Sequence, residues 1–298
     1  MTLTPPTNPR GPAPPESRHK VVLQISDVHL LAAGLLNRAV DTYDNLLRVI
    51  AQIDDGGKVP DAVIFSGDLA DKGEPGAYQR LRAAVEPWVS RMGVPAVYLP
   101  GNHDARPAFR THLLGWDANE EPIDQVIWSD GLRIVALDST VPGRTHGELR
   151  PDQLTWLAAE LAVPAPLGTL LVLHHPPIPG PSSLLSWIAL RDPGPLAEVV
   201  AGTDVVMVLA GHSHHPSAGV LGGVPVWVSS ATAYQMDVPV IGANRVIRGV
   251  QGSAFTWVDV FEGSAVATHV PLIPADRVLY ESPVESLRRA ISLEASGA

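Results

Sequence analysis

Five short segments carry side chains that bind hard or borderline metal ions: Asp27-Val28-His29, Gly67-Asp68, Gly101-Asn102-His103-Asp104, His174-His175 and Gly211-His212-Ser213-His214. Each follows a short apolar run, so each falls where a buried strand would end. Asp27 and His29 stand two residues apart, a spacing that turns both side chains to one side of an extended chain, and His212 and His214 repeat it. Glycine precedes the polar residue at 67, 101 and 211, where the missing Cβ permits a sharp turn and close backbone approach to an ion or a phosphate. Taken singly the segments are ordinary: a lone histidine is more often a surface or core residue, and Asn-His can be plain turn chemistry. Taken together they place seven ligand-type side chains at the ends of apolar runs in a chain of only 11 histidines, which is hard to assign to chance.

Stepping from these residues to what must hold them, the apolar runs 21–25, 62–65, 96–99, 170–173 and 205–209 are rich in Val, Ile and Leu and read as buried strands. Amphipathic helices fit between them. Leu46, Leu47, Ile50 and Ile53 share a face over 41–54, Tyr78, Leu81 and Val85 over 75–91, and Leu154, Leu157 and Leu161 over 151–162, with Pro151 in the first turn. Two hairpins follow from Ser129-Asp130-Gly131 and Glu262-Gly263-Ser264 between apolar runs. The pattern is β-α units with added antiparallel strands, and ligands of open α/β folds collect at the carboxyl ends of strands, so the five strand ends should converge on one sheet edge. The Pro/Gly/polar loops 180–196 and 233–252 follow site-bearing strands and are expected to line a substrate pocket. The expected organisation is a disordered Pro-rich arm over 1–19, one domain over 20–280 and a helical or frayed tail over 281–298.

Composition narrows the chemistry. The chain has 298 residues and no cysteine, so any metal must sit on His, carboxylate or amide ligands, the set suited to Mn2+, Fe and Zn2+. A net charge of −10 argues against grip on a nucleic-acid polymer, so bound metals are the simplest source of positive charge for an anionic substrate. Neither a secretory leader nor a membrane-length apolar stretch is visible, and a cytoplasmic location is the expectation.

In order and spacing these motifs resemble the calcineurin-like metallophosphoesterase superfamily. Gly67-Asp68-Leu69-Ala70-Asp71-Lys72-Gly73, His174-His175-Pro176-Pro177 and His146-Gly147-Glu148-Leu149 look like those of bacterial class III cyclic nucleotide phosphodiesterases. The resemblance implies an α/β fold of two stacked mixed β-sheets flanked by helices, a four-layer α/β/β/α sandwich. It implies two divalent or trivalent ions, Fe, Mn2+, Zn2+ or Co2+, held by Asp27, His29 and His214 on one side and by Asn102, His174 and His212 on the other, with Asp68 bridging. In that scheme a metal-bridging hydroxide attacks phosphorus and His103 donates a hydrogen bond or proton to the phosphate or leaving group. Asp71 or Asp104 orients a histidine, or serves only as a turn or cap residue. His146 contacts substrate, supports a ligand, or is simply a loop histidine. His175, next to a ligand in a strand, should point away from the metals. Lys72, Arg106, Arg144 and Arg191 read as solvated charges rather than phosphoryl clamps, which favours diesters over monoesters. The implied substrate is a small phosphodiester, first a 3′,5′-cyclic nucleotide. Other readings are a 2′,3′-cyclic nucleotide, a glycerophosphodiester, a nucleotide pyrophosphate, a phosphomonoester, or a metal-stabilised binding module without turnover. A homodimer is compatible with the likeness.

Overall fold

Strands that bury both faces need cover on both sides, and the burial pattern of β1 (Lys20–Ile25) shows how it is supplied: Val22 faces one core and Leu23 and Ile25 face another. In a computed structural model of the chain, which describes residues 19–242, 246–272, 279, 280, 282–285 and 288, this alternation separates three apolar layers. The central layer joins Val22, Ile64 and Val97 to Ile134, Leu170, Val172 and Leu209 of a second sheet. An outer layer packs Leu23, Ile25 and Phe65 against helices α1 (Thr42–Gly56) and α2 (Pro75–Met92), through Leu46, Val49, Ile53, Tyr78, Leu81 and Trp88. The opposite layer packs Val135, Leu171, Leu173 and Val208 against Leu157 and Leu161 of α4 (Pro151–Leu161) and Leu196 and Val200 of α6 (Gly194–Val200). The result is the α/β/β/α sandwich expected.

The first sheet has the order β13-β12-β1-β2-β3, where β2 is Ala62–Ser66, β3 Ala96–Leu99, β12 Ala254–Phe261 and β13 Ser264–Pro271. Strands β1, β2 and β3 run parallel, and β12 and β13 add antiparallel to the β1 side. The second sheet has the order β4-β5-β6-β7-β9-β8, with β4 Gln125–Ser129, β5 Leu132–Leu137, β6 Thr169–Leu173, β7 Val205–Ala210, β8 Ser217–Leu221 and β9 Val224–Val228. Strands β5, β6, β7 and β9 are parallel. Both expected hairpins form, β4–β5 and β12–β13. Local signals set the helix limits: Asp41 accepts the Asp44 N–H at the start of α1, Pro75 and Pro151 open α2 and α4, and Gly57 and Gly93 close α1 and α2 in left-handed conformation.

Several expectations need correction. The strand ends converge from two sheets rather than on one sheet edge: β1, β2 and β3 belong to one, β6 and β7 to the other. Gln24 of β1 stitches the two together where they meet, donating to Ser66 Oγ and to the Ala210 carbonyl, each at 2.9 Å. The loop 180–196 holds α5 (Ser183–Ile188) and the start of α6, and 233–252 holds a two-stranded ribbon, β10 (Gln235–Met236) with β11 (Gly249–Val250), and the short α7 (Val238–Gly242). The β8–β9 hairpin was not expected, although Gly222-Gly223 between apolar residues is a hairpin signal. Nor was α3 (Arg106–Phe109), which runs on into a π-turn to Leu114. The arm over 1–19 lies outside the described residues except for His19, and the tail over 281–298 except for 282–285 and 288.

Candidate metal centre

The candidate ligands lie just past the strands, in loops whose backbone is far from extended. Asp27, His29, Asp68, His212 and His214 all have positive φ, between 48° and 70°. The two Asp/His-x-His pairs therefore converge through left-handed turns and not through strand alternation. Asp and His tolerate that region better than most residues, and such strain concentrates at functional sites. Packing explains the glycines: a Cβ on Gly67 would meet the His174 ring, one on Gly101 the Asp68 carboxylate, and one on Gly211 the Ser26 hydroxyl and Asp27. Only Gly67 of the three also needs a positive φ, 99°.

The side chains form two buried clusters joined by one carboxylate. Asp27, His29, Asp68 and His214 bring ligand atoms within 4.8 Å of one another, and His174, His175 and His212 do the same. Asp68 Oδ2 lies 3.5 Å from His29 Nε2 and 3.4 Å from His174 Nε2, facing both groups. The other oxygen, Oδ1, accepts the backbone N–H of His103 at 2.9 Å, which fixes the carboxylate's orientation. Asn102 adds a buried Oδ1 with no hydrogen-bond partner, and the buried Nε2 atoms of His174 and His212 are likewise unpartnered.

Outer contacts decide which nitrogen each histidine offers. His174 Nδ1 meets the Ser66 carbonyl at 2.8 Å, His214 Nδ1 the Tyr234 carbonyl at 3.1 Å, and His29 Nδ1 the Asp71 carboxylate at 3.2 Å. Those partners only accept, so each Nδ1 donates and each neutral ring turns an Nε2 lone pair inward. His29 Nε2 and His214 Nε2 stand 3.0 Å apart. Two lone pairs at that distance repel unless a proton or a cation lies between them. The orphaned Asn and His atoms, the facing lone pairs and the shared carboxylate fit a pair of metal ions on N and O donors.

Electrostatics agree with a cage built for positive charge. Burial disfavours a charged His174, yet Asp68 and Asp27 outweigh it and push the ring up to about 9. Burial, reinforced by His174, pushes His212 down to about 3. Burial and the neighbouring His29 hold His214 well below the ordinary imidazole value. Burial raises Asp27, whereas Asp68, despite its burial, is held well below the usual carboxylate range by His174 and His29.

Around this core the expected helpers separate. Asp71 orients His29 and also lies beside His103, whose Nδ1 meets the Asp71 carbonyl at 2.8 Å. His103 stands at the rim with its side chain 41% exposed. Asp104 does not orient a histidine. It accepts from the N–H groups of Leu69, Ala70 and Gly101 and from the Tyr78 hydroxyl, tying the β2 and β3 loops together. His146 is buried and meets Glu148 Oε1 at 3.2 Å. His175 does not point away: β6 ends at Leu173, alternation stops there, and the ring sits 5.0 Å from His174 and 4.8 Å from His212, with Nδ1 on Ser139 Oγ. His215 is turned to the Ser213 carbonyl, in line with a structural role. Arg106 is not a solvated charge but buried, with Nε on Asp138 at 2.8 Å. Sequence reasoning missed Tyr234, whose ring lies 4.4 Å from that of His214 and which no motif flags.

Residues 20–216 match the family model described as calcineurin-like phosphoesterase. The chain is 44% identical over 284 residues to a "Probable cyclic nucleotide phosphodiesterase" of Rhodococcus erythropolis, covering 95% of this chain and 93% of that one. It is 44% identical over 272 residues to a cAMP/cGMP dual specificity phosphodiesterase of Mycobacterium tuberculosis, covering 90% and 85%. Among solved structures, a dimetal phosphatase from Danio rerio superposes with a TM-score of 0.61 at 16% identity, over 85% of this chain and 96% of that one, a likeness of fold.

Proposed function

Because the chain belongs to the calcineurin-like phosphoesterase family, we propose that it is a binuclear-metal phosphodiesterase whose substrates are 3′,5′-cyclic nucleotides, opened to 5′-nucleoside monophosphates. The observation that carries the reading is Asp68 Oδ2, buried and 3.5 and 3.4 Å from ligand nitrogens of two separate clusters. In this reading Asp27, His29 and His214 would hold one ion and Asn102, His174 and His212 the other, with Asp68 shared by both. Bound there, divalent ions supply Lewis-acid charge for the phosphoryl oxygens and lower the pKa of water. The donor set suits Mn2+, Fe, Zn2+ or Co2+.

The chain's own residues do the rest. The Ser66, Tyr234 and Asp71 oxygens lock the ring orientations of His174, His214 and His29. The His103 N–H holds Asp68 so that a single oxygen is shared. The His103 Nδ1–H donates a hydrogen bond to the Asp71 carbonyl, which leaves Nε2 as the atom that, when it carries a proton, gives it to the leaving oxygen. With Arg106 committed to Asp138, no arginine of α3 is free to clamp the extra charge of a monoester, which supports a diester substrate.

The test is a substrate panel on metal-reconstituted protein: bis-p-nitrophenyl phosphate against p-nitrophenyl phosphate, then 3′,5′- and 2′,3′-cyclic AMP. Turnover of the diester and of 3′,5′-cyclic AMP is expected. Preference for the monoester would remove the diester reading. Diester cleavage without turnover of either cyclic nucleotide would keep the metal chemistry and remove the substrate.

A further inference from the structure

A cavity of about 270 Å³ opens between two segments outside the ligand set, lined by Gly143, Arg144, Thr145, His146, Trp187 and Arg191. It is anchored to the metal centre. The Gly147 N–H donates to the Ala189 carbonyl, the Arg191 N–H to the Gly147 carbonyl, and the Leu190 N–H to the Pro176 carbonyl beyond His174-His175. Gly147 lies so close to His175 that a Cβ there would meet the ring, and His175 in turn packs on His174 and His212. The cavity therefore borders the cluster assigned to the second ion.

Its lining is basic and aromatic. In a chain of net charge −10, its lining carries two guanidinium groups, one imidazole and no carboxylate. Trp187 on α5 is 73% exposed, an unusual exposure for so large an aromatic ring. Glu148 Oε1 meets His146 Nε2 at 3.2 Å and Arg191 Nη1 at 3.4 Å and holds both at the rim. A flat aromatic face beside guanidinium donors matches a purine, which offers a π face and ring-nitrogen acceptors. The volume falls below the ~300–1,000 Å³ that encloses a whole drug-sized ligand, which suits one end of a nucleotide.

We propose that this cavity is the subsite for the purine base of the substrate, with Trp187 as stacking platform and Arg144 and Arg191 as donors to the ring. The proposal rests on the cyclic-nucleotide reading given above. Its measure is a ratio: kcat/KM for 3′,5′-cyclic AMP divided by kcat/KM for base-free 1-deoxyribose 3′,5′-cyclic phosphate. Trp187→Ala lowers that ratio by at least ~5-fold, the lower end of what a stacked base contributes, and Trp187→Phe recovers most of it. Arg191→Gln lowers it as well. Because Trp187 is mostly exposed, its variants fold, and their melting temperatures check this. A ratio unchanged in an active Trp187→Ala enzyme overturns the subsite and leaves the function standing. So does a ratio that falls only in Tyr234→Ala, which would place the base in the cavity that Tyr234 lines together with Asp44, Asn45 and Arg48 of α1. A wild-type enzyme that turns over no cyclic nucleotide overturns both.

Discussion

Asp68 stands between two groups of histidines that its own loop does not contain, and its two oxygens are divided between backbone and site. Removing that carboxylate removes an oxygen that lies within 3.5 Å of a histidine nitrogen in each cluster. Asp68→Ala is expected to lose activity and most of its bound metal, with a lower melting temperature in metal-containing buffer because the ligand contribution to stability goes too. Elemental analysis and a melt check this, and a fully active variant with two metals would contradict it. His103 and Asn102 are neighbours to which the proposed function gives different tasks. His103→Ala should slow turnover by ~10²–10⁴-fold at unchanged metal content, whereas Asn102→Ala, which deletes the buried unpartnered Oδ1, should empty one metal position. Loss of metal in His103→Ala would refute the division. At this scale the sequence was informative where residue type and neighbouring glycine coincide. It misled at His175, because strand alternation was carried two residues past Leu173, the last residue of β6. It was silent on Tyr234, whose place depends on the fold of a loop without periodicity.

The elements act by ending in the right place. Five parallel strands from two sheets stop within reach of one another, and left-handed turns at Asp27, His29, Asp68, His212 and His214 turn the candidate ligands inward. Glycine makes the loops fit. Gly101→Ala would drive a Cβ into the Asp68 carboxylate and the His174 ring, and overpacking of that kind costs about 1–3 kcal/mol. A lower melting temperature and reduced metal occupancy are expected, with Gly56→Ala at the end of α1 as the control, since nothing lies within 4 Å of a Cβ there. Equal behaviour of the two variants would show that close approach at Gly101 is unimportant. Helix and strand positions were legible because period and caps agree: 41–54, 75–91 and 151–162 match α1, α2 and α4 to within about one turn. The partition of strands between two sheets was not legible from periodicity, since a strand buried on both faces reads alike in either sheet. The resemblance of the motifs implied two stacked sheets but not which strand belongs to which.

Across the whole molecule the site shapes the response to pH. Burial depresses His175, His212, His214 and His215 from an ordinary value of 6.5, His212 to about 3. The stability that depends on their neutral rings is present above pH 6.5 and is lost as pH falls, because the unfolded chain then binds protons that the folded one refuses. Asp104, pushed up to about 6 mainly by burial, and Asp27 and Asp124, also raised by burial, act in the opposite sense, three carboxyl groups against these four histidines and His269, which burial lowers too. His174, raised to about 9, and His29, also raised, are protonated in both states only well below pH 6.5, so their opposing contribution is confined to the region around and above that pH. Metal-stripped protein should therefore melt at lower temperature as pH falls from 6.5 to 5, values set by the imidazole reference. The extra stability conferred by added metal should fade over the same interval, as protons displace the ions. A melting temperature that rises on acidification would contradict this. Among the described residues no helix is long and apolar enough to cross a membrane. The most direct test of the central claim is activity on 3′,5′-cyclic AMP while Mn2+ is titrated into metal-stripped protein. The account predicts negligible activity without metal and a rise that saturates at about two ions per chain, as the shared Asp68 carboxylate requires. Full activity in the stripped protein, or saturation at one ion, would contradict it.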